Sequence, residues 1–235
     1  TGNSKITMNN IIVNGGHHGV FADGATIVGS NVTVKNISLY GLVSTKEGAS
    51  IELTDSTITK CGNAGARPEN YGTIKLTKTT FKENECGLHA ENGTVELDGC
   101  EFIENGNTSA ASKGARSGAA MHISVGSVVT AKNCKFNNNT AQFRDGAGIT
   151  LTKGTIDLEN CEIIGNKQTA EGRNAAAIHV DNAEAVLRLK GCTIQGNETV
   201  GNGGAMFITN AQELTVEDTI IKDNKTGSES GGDVW

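Results

Sequence analysis

Hydrophobic and polar positions alternate along most of the chain in a short pattern that repeats. The clearest copy runs from Val95 to Asn105. It has two apolar residues separated by one polar residue, then a small residue, a Phe and a closing Asn. A two-residue period places alternate side chains on one buried face of a strand. Similar copies start at Ile74, Val129, Ile156, Leu187 and Leu214, end at Asn84, Asn139, Asn166, Asn197 and Asn224, and have weaker counterparts starting at Ile6, Val32 and Ile51.

The spacing of the copies predicts the fold. The position equivalent to Phe102 is occupied by Val13, Leu39, Ile58, Phe81, Phe102, Phe136, Ile163, Ile194 and Ile221. This gives nine repeats of about 26 residues, a period typical of solenoids. A second short strand follows most copies, at 88–90, 121–123, 149–151, 178–180 and 206–208. We therefore predict an all-β protein, a single-stranded right-handed parallel β-helix of about nine coils, forming one domain over residues 1–235.

Stacking of coils predicts columns of like residues. The small inward position is expected to hold Ile11, Ile37, Ser56, Thr79, Cys100, Cys134, Cys161, Cys192 and Thr219. The six closing asparagines form a second column, in which stacked amides can bond each other and the turn backbone. An outward column includes Thr7, Thr33, Glu52, Lys75, Glu96, Thr130, Asp157, Arg188 and Thr215. Opposite charges on neighbouring coils stabilise such a column.

Composition and charge remove several classes of protein. The chain has 31 Gly, one Pro and only nine aromatic residues (six Phe, two Tyr, one Trp), without a collagen period. No apolar run approaches the roughly 20 residues of a membrane-spanning helix. A net charge of −6 and no basic stripe argue against a nucleic-acid partner. The pattern restarts at 231–235, which indicates a piece of a longer protein, with the remainder of its own chain as a partner at both ends.

The six cysteines divide into two groups. Cys100, Cys134, Cys161 and Cys192 fall inward on consecutive coils, where free Cys behaves as a small hydrophobe. We interpret them as a packed, reduced ladder. Cys61 and Cys86 fall near one corner of adjacent coils, so a disulfide between them is an open alternative.

Long corner loops supply the main candidate site. Only three residues separate the Asn position from the second strand in coil 4, whereas coils 5 to 9 have eight or more. Arg116, Arg144 and Arg173 each lie five residues before a strand. Arginine binds carboxylates in a bidentate manner, so these residues, with Asp145 and Asn174 beside them, are candidates for binding an acidic glycan or peptide. Local pairing with Asp145 or Glu171 is the alternative.

A histidine column supplies the second candidate. His89, His122 and His179 occupy the middle outward position of the second strand, a position that Phe21, Thr150 and Phe207 share. We expect an exposed column, either a recognition surface or a solvated face, and include His122, His179 and Phe207 as candidate ligand-binding residues. Thr150 separates His122 from His179 by about 9–10 Å, too far for shared metal ligation. No metal or cofactor is predicted.

Enzymatic activity is the less favoured interpretation. Glycoside hydrolysis needs two carboxylates within roughly 5–10 Å, whereas the outward acids here alternate with bases or Thr. No acidic cluster suits a calcium-assisted lyase. We therefore predict that the chain is not an enzyme, with a polysaccharide lyase or hydrolase as one alternative and a structural stalk as another.

Two short motifs carry a resemblance to a known family. Residues 81–84, 102–105 and 136–139 read FxxN, and Gly203-Gly204-Ala205-Met206 reads GGA plus an aliphatic residue, with looser copies at 118–121 and 175–178. These motifs resemble the passenger regions of chlamydial polymorphic outer-membrane proteins and adhesin-like β-helix proteins more broadly. The resemblance implies an autotransporter-like rod, extracellular or on the bacterial cell surface. It further implies an adhesin or binding module that recognises a host-surface protein or a glycan. From the loop lengths we expect the loops of coils 5–8 to make this contact, and from the composition we expect that this part of the chain does not span a membrane.

Overall fold

The structure is a computed structural model that describes residues 4–106, 118–143, 145–227 and 234. In these residues thirty strands, numbered β1 to β30 in chain order, form four parallel sheets. The described residues contain no helix that is long and apolar enough to cross a membrane.

The first sheet has nine strands, one from each coil: β1 (Lys5–Asn9), β4 (Thr26–Ser30), β7 (Ser50–Thr54), β10 (Thr73–Thr77), β13 (Thr94–Asp98), β16 (Ser127–Lys132), β20 (Gly154–Glu159), β24 (Ala185–Lys190) and β28 (Glu213–Glu217). The second also has nine: β2 (Ile12–Asn14), β5 (Thr33–Ile37), β8 (Thr57–Cys61), β11 (Thr80–Lys82), β14 (Glu101–Ile103), β17 (Lys135–Asn137), β21 (Glu162–Ile164), β25 (Thr193–Gln195) and β29 (Ile220–Lys222).

The third sheet contains β3 (His18–Asp23), β6 (Tyr40–Thr45), β9 (Ala64–Glu69), β12 (Leu88–Glu91), β15 (Met121–Ser124), β19 (Ile149–Leu151), β23 (Ile178–Asp181) and β27 (Met206–Asn210). A fourth, small sheet contains β18 (Thr140–Ala141), β22 (Lys167–Gln168), β26 (Glu198–Thr199) and β30 (Lys225–Thr226). Every strand pairs with the corresponding strand of the next coil, so the predicted nine-coil parallel β-helix is confirmed. The fourth sheet was not predicted, because two-residue strands leave no alternation to detect.

Each repeat of the sequence pattern folds into two strands that meet at a corner. In coil 5 the pattern spans β13 and β14, and the corner between them holds Cys100. Val95, Leu97 and Phe102 point into the core, whereas Glu96 and Asp98 point to solvent. In-register stacking repeats this division on every coil and produces one continuous core along the rod.

The predicted register of coil 2 is wrong. Val34, and not Leu39, stacks between Val13 and Ile58. The small inward position next to Ser56 is accordingly occupied by Val32 and not by Ile37. In the outward column, the member from coil 2 is Val28 and not Thr33. The physical reason is Gly29, which replaces the second core aliphatic of β4. A Cβ at Gly29 would lie 2.2 Å from the Met8 carbonyl oxygen, so the coil carries a glycine where the pattern expects an apolar residue.

Two ladders run through the core and its corner. The rings of Phe81, Phe102 and Phe136 stack with centroid distances of 4.6 and 5.0 Å. The closing asparagines stack beside them, and each side-chain amide donates to the carboxamide oxygen of the next, as in Asn105 Nδ2 to Asn139 Oδ1 at 3.1 Å. The predicted asparagine column is therefore confirmed. It satisfies buried backbone groups at a corner where no strand partner is available.

The cysteines are free thiols, and all six are buried. Cys100, Cys134, Cys161 and Cys192 stack inward on consecutive coils, and their thiols lie against backbone carbonyls. Cys61 faces the main core, where burial raises the pKa of its thiol to about 12. Cys86 packs instead in a small separate cluster with Tyr40, Val43 and Ala64. Because the two side chains enter different clusters, the structure does not join Cys61 to Cys86.

The turn at Val125 gives a stability prediction. Val125 has a φ of 54° and is 53% exposed, and a β-branched residue is strained in this left-handed region. The equivalent turn position of the preceding coil is Asn92, with a φ of 57°. We expect Val125→Asn to stabilise the protein by about 1 kcal/mol, seen as a higher thermal midpoint. Val128→Asn, on an exposed strand position, is the control and should not stabilise.

Candidate functional site

Three long loops of coils 6 to 8 lie side by side over the third sheet. They comprise residues 142–148, 169–177 and 200–205, apart from residue 144, and we call this surface the loop ledge. Each loop leaves a strand of the fourth sheet (β18, β22 or β26) and returns to the third sheet. The paired strands fix the two ends of each loop, so adjacent loops are held in the same register as the coils.

Asp145 links two of these loops. Its Oδ1 accepts the backbone N–H of Asn174 at 2.7 Å, and its Oδ2 lies 3.4 Å from Nη1 of Arg173. The third loop joins through Asn174, whose side-chain oxygen accepts the N–H of Asn202 at 3.1 Å. Backbone bonds from Gly146 to Asn174 and from Ala175 to Asn202 repeat the same connections. The ledge is therefore a cross-linked surface.

Arg173 is the cation that the described part of the ledge presents. Its side chain is 43% exposed, whereas that of Asp145 is only 19% exposed. The pairing of Arg173 with Asp145, which the sequence left as an alternative, therefore exists. Its N–O distance is long, however, and the guanidinium remains partly exposed to solvent. Arg116 and Arg144 lie outside the described residues, so their place in the predicted arginine column stays a prediction.

The predicted exposed histidine column is wrong, because these side chains are mostly covered. His89 and Thr150 are fully buried, His179 and Phe207 nearly so, and His122 is half-buried. The reason is close approach of the loop backbone. A Cβ at Gly146 would lie 2.2 Å from Thr150 Oγ1, and one at Gly203 would lie 2.8 Å from Phe207 Cβ. The glycines thus allow the ledge to rest directly on the column.

His179 lies beneath the ledge. Burial lowers its pKa, and the nearby carboxylates of Asp145 and Asp181 oppose that shift only in part. Its ring stacks on Phe207 at 5.7 Å, and within the described part of the chain its Nδ1 has no hydrogen-bond partner. A neutral, covered imidazole supports the ledge from below and is not presented to a ligand.

His122 belongs to a different group of contacts. Its ring stacks on His89 at 4.8 Å, and its Nε2 lies 3.4 Å from Thr152 Oγ1. Thr150 separates it from His179 in the column, as the sequence indicates. The structure thus brings Asp145, Arg173 and Asn174 together, with His179 and Phe207 below them, and leaves His122 apart.

A shallow groove of about 420 Å³ lies on the outer face of the first sheet. Its floor includes Lys75, Glu96, Asp98, Thr130 and Lys132. The carboxylates are held by neighbours: Glu96 by Lys75 at 3.0 Å, and Asp98 by the Asn133 amide at 2.9 Å.

Further along the same face, Lys132 lowers the pKa of Glu159, and Arg188 bridges Asp157 and Glu213. These rung-to-rung pairs confirm the predicted alternation of charge. They make the face a stabilised surface in which each of these carboxylates already has a partner.

Among the described residues, no group of three or more His, Cys, Asp or Glu side chains could hold a metal ion. Sequence reasoning missed the burial of the column and the role of the loop glycines. One signal was available: Gly118, Gly146 and Gly203 each stand three residues before an inward strand residue, and all have positive φ. A glycine at this fixed offset marks the point where each loop turns down onto the sheet.

Comparison with known proteins identifies the family of this chain. A family model described as "Right handed beta helix region" matches residues 1–167. No curated protein matches the chain, and no solved structure matches it. The family model describes the architecture, which occurs in adhesins, stalks and polysaccharide-active proteins alike, and carries no support for the likeness to chlamydial passenger regions.

Proposed function

We propose that this chain, which belongs to the right-handed β-helix family, is a non-catalytic binding module that uses the loop ledge to recognise an acidic glycan. The observation that carries the proposal is the ledge itself. Three loops, cross-linked through Asp145 and Asn174, hold the half-exposed Arg173 on a rigid rod. Function concentrates in loops that a rigid scaffold positions.

The chemistry of Arg173 supports an anionic ligand. A guanidinium binds carboxylate or sulfate through two parallel hydrogen bonds. Asp145 contacts only Nη1 of the guanidinium, and at the long distance of 3.4 Å, so an oxyanion of the ligand can replace or share that contact. On a chain of net charge −6, a local cation on a fixed surface also selects where an anion binds.

The environments of the carboxyl groups in the described residues also fit a binding role better than a catalytic role. General-acid catalysis by a carboxyl group uses a raised pKa, whereas the pKa of Glu159 is lowered and Asp157, Glu96 and Asp145 all contact cations. We place the module on the outside of a cell, where acidic host glycans are encountered. This location rests on the resemblance of the motifs to surface adhesins.

The test is a binding screen on an array of acidic and neutral glycans. We expect the wild-type chain to bind acidic glycans and Arg173→Ala to lose at least tenfold in affinity. Arg173→Lys should lose nearly as much, because an ammonium cannot bind an oxyanion in the same bidentate manner. Asp145→Asn should bind more tightly, since the competing carboxylate is removed.

The matched control is Arg188→Ala. Arg188 is as exposed as Arg173 and also paired with acids, but it lies on the first sheet. Equal binding by Arg173→Ala and wild type would contradict the ledge as the site. An array with no bound glycan would favour the stalk, and cleavage of an array glycan with new reducing ends would favour the enzyme.

A further inference from the structure

We propose that the sugar held on the loop ledge is a uronic acid, whose carboxylate binds Arg173 while the C–H face of its ring packs on Phe143. The inference rests on the function proposed above and adds the class of sugar that the ledge selects. The observation behind it is an exposed aromatic ring in the loop that also carries Asp145, the residue in contact with Arg173.

Phe143 is an exposed aromatic residue in the middle of the rod. Its side chain is 43% exposed, and its loop belongs to coil 6. Among the described residues of coils 2 to 8, five large apolar side chains are exposed: Tyr71, Val125, Val128, Phe143 and Val200. Two of these five, Phe143 and Val200, belong to the ledge. Aromatic residues and arginine together are typical of the central parts of binding surfaces.

The loops place Phe143 and Val200 on the two sides of Arg173 along the rod. Phe143 is in coil 6, Arg173 in coil 7 and Val200 in coil 8. Asp145, two residues after Phe143, lies 3.4 Å from Arg173 Nη1. Gly201, the residue after Val200, is so close to the Arg173 carbonyl oxygen that a Cβ there would overlap it. The ledge therefore presents a cation between two apolar side chains.

The residues that correspond to Phe143 in the next two loops are small. Phe143 is the second residue after β18, and the same position is Ala170 after β22 and Gly201 after β26. The loops leave these strands in step, since the N–H of Thr169 donates to the Ala141 carbonyl at 2.9 Å. The neighbouring loops thus carry a methyl group and a hydrogen where coil 6 carries a phenyl ring. This difference leaves room beside the phenyl ring for a sugar.

A uronic acid combines the two groups that this surface can bind. One face of its ring carries mainly C–H groups, which pack on an aromatic side chain. The carboxylate attached to the ring accepts paired hydrogen bonds from a guanidinium. An acidic peptide supplies the carboxylate on a flexible side chain without a ring beside it, and a neutral sugar supplies only the ring. The combination of Phe143 with Arg173 therefore favours a uronic acid over either.

The test is fluorescence anisotropy with two labelled probes of equal charge, a hyaluronan oligosaccharide and poly-L-glutamate. Hyaluronan carries a uronic acid without sulfate, and poly-L-glutamate carries carboxylates without sugar rings. We expect wild-type protein to bind hyaluronan more tightly than poly-L-glutamate. Phe143→Ala should weaken hyaluronan binding roughly five- to tenfold and leave binding to poly-L-glutamate unchanged. Phe143→Tyr keeps the ring and should bind hyaluronan as the wild type does.

Two further variants separate this inference from the proposed function. Arg173→Ala removes the contact with the anion and should weaken binding to both probes. Tyr71→Ala removes a ring that is 67% exposed in the turn between coils 3 and 4, outside the ledge, and should change neither affinity. Circular dichroism and the thermal midpoint confirm that each variant is folded.

The outcomes that would overturn the inference are distinct. Hyaluronan binding that Arg173→Ala loses and Phe143→Ala keeps would leave the ledge as the site without the ring contact. Equal affinity of the wild type for the two probes would indicate an acidic peptide as the ligand. Binding of other acidic glycans without hyaluronan would exclude a uronic acid as the recognised group. If no acidic glycan binds at all, the proposed function falls together with this inference.

Discussion

Replacing Asn139 with Leu should destabilise the protein by about 3 kcal/mol or more. Asn139 is fully buried. Its Oδ1 accepts the backbone N–H and the side-chain amide of Asn105, and its Nδ2 donates to the carbonyl of Phe102 and to Asn166 Oδ1. A leucine has the same branching as asparagine but is larger and cannot hydrogen-bond, so it leaves these groups unpaired in the core, and each orphaned buried group costs about 1–3 kcal/mol.

The measurement is the urea midpoint of Asn139→Leu compared with Asn137→Ala. Asn137 lies two residues earlier on the same coil, is half-exposed, and accepts one backbone hydrogen bond from Ile164. We expect the control to lose no more than about 1 kcal/mol. Equal midpoints for the two variants would show that the amide ladder contributes little to stability.

Replacing Phe102 with Ala should destabilise the protein by about 3–5 kcal/mol, the range for loss of a buried ring. Phe102 stacks between Phe81 and Phe136. Across the core it fills the space left by Gly87 of the preceding coil, where a Cβ would lie 2.6 Å from its Cδ1. Loss of the ring opens a cavity between three coils, and the backbone of parallel strands on both sides prevents its collapse.

The thermal midpoint of Phe102→Ala measures this effect, and Phe21→Ala is its control. Phe21 is 46% exposed, so its replacement should change the midpoint by little. The complementary substitution Gly87→Ala should also be destabilising, because the added methyl would overlap both Phe102 and the Ala120 carbonyl oxygen. Tolerance of both core substitutions would contradict the packing described for coils 4 to 6.

The fold was predictable because the coils stack in register, so that a short pattern of apolar and polar residues recurs as columns of similar side chains. One-face alternation in β13 or β20 identifies a strand, and recurrence of Asn84, Asn105 and Asn139 identifies the corner that stacks. The register of coil 2 was not predictable in this way. Gly29 stands there in place of a core aliphatic residue. The alternation of Val32 and Val34 in the next strand resembles the start of a repeat, so the sequence pattern assigns the repeat to the wrong strand.

The candidate site was predictable only in part. Loop length and the position of Arg173 indicated where a surface would form, and Asp145 was identified beside it. The path of the loops was not predicted, since it depends on the backbone of Gly146 and Gly203 lying directly on Thr150 and Phe207, and the spacing of these glycines was its only signal in the sequence. A strand position that alternates outward is therefore predicted to be exposed, either as a recognition surface or as a solvated face, although a loop covers it in the structure.

Hydrogen exchange of the chain with and without a heparin oligosaccharide tests the central claim most directly. If the ledge binds acidic glycans, backbone amides in residues 145–148 and 173–177 should exchange more slowly when the oligosaccharide is present, and Arg173→Ala should abolish that protection. Protection confined to the outer face of β10, β13 and β16, or unchanged exchange throughout the chain, would contradict it.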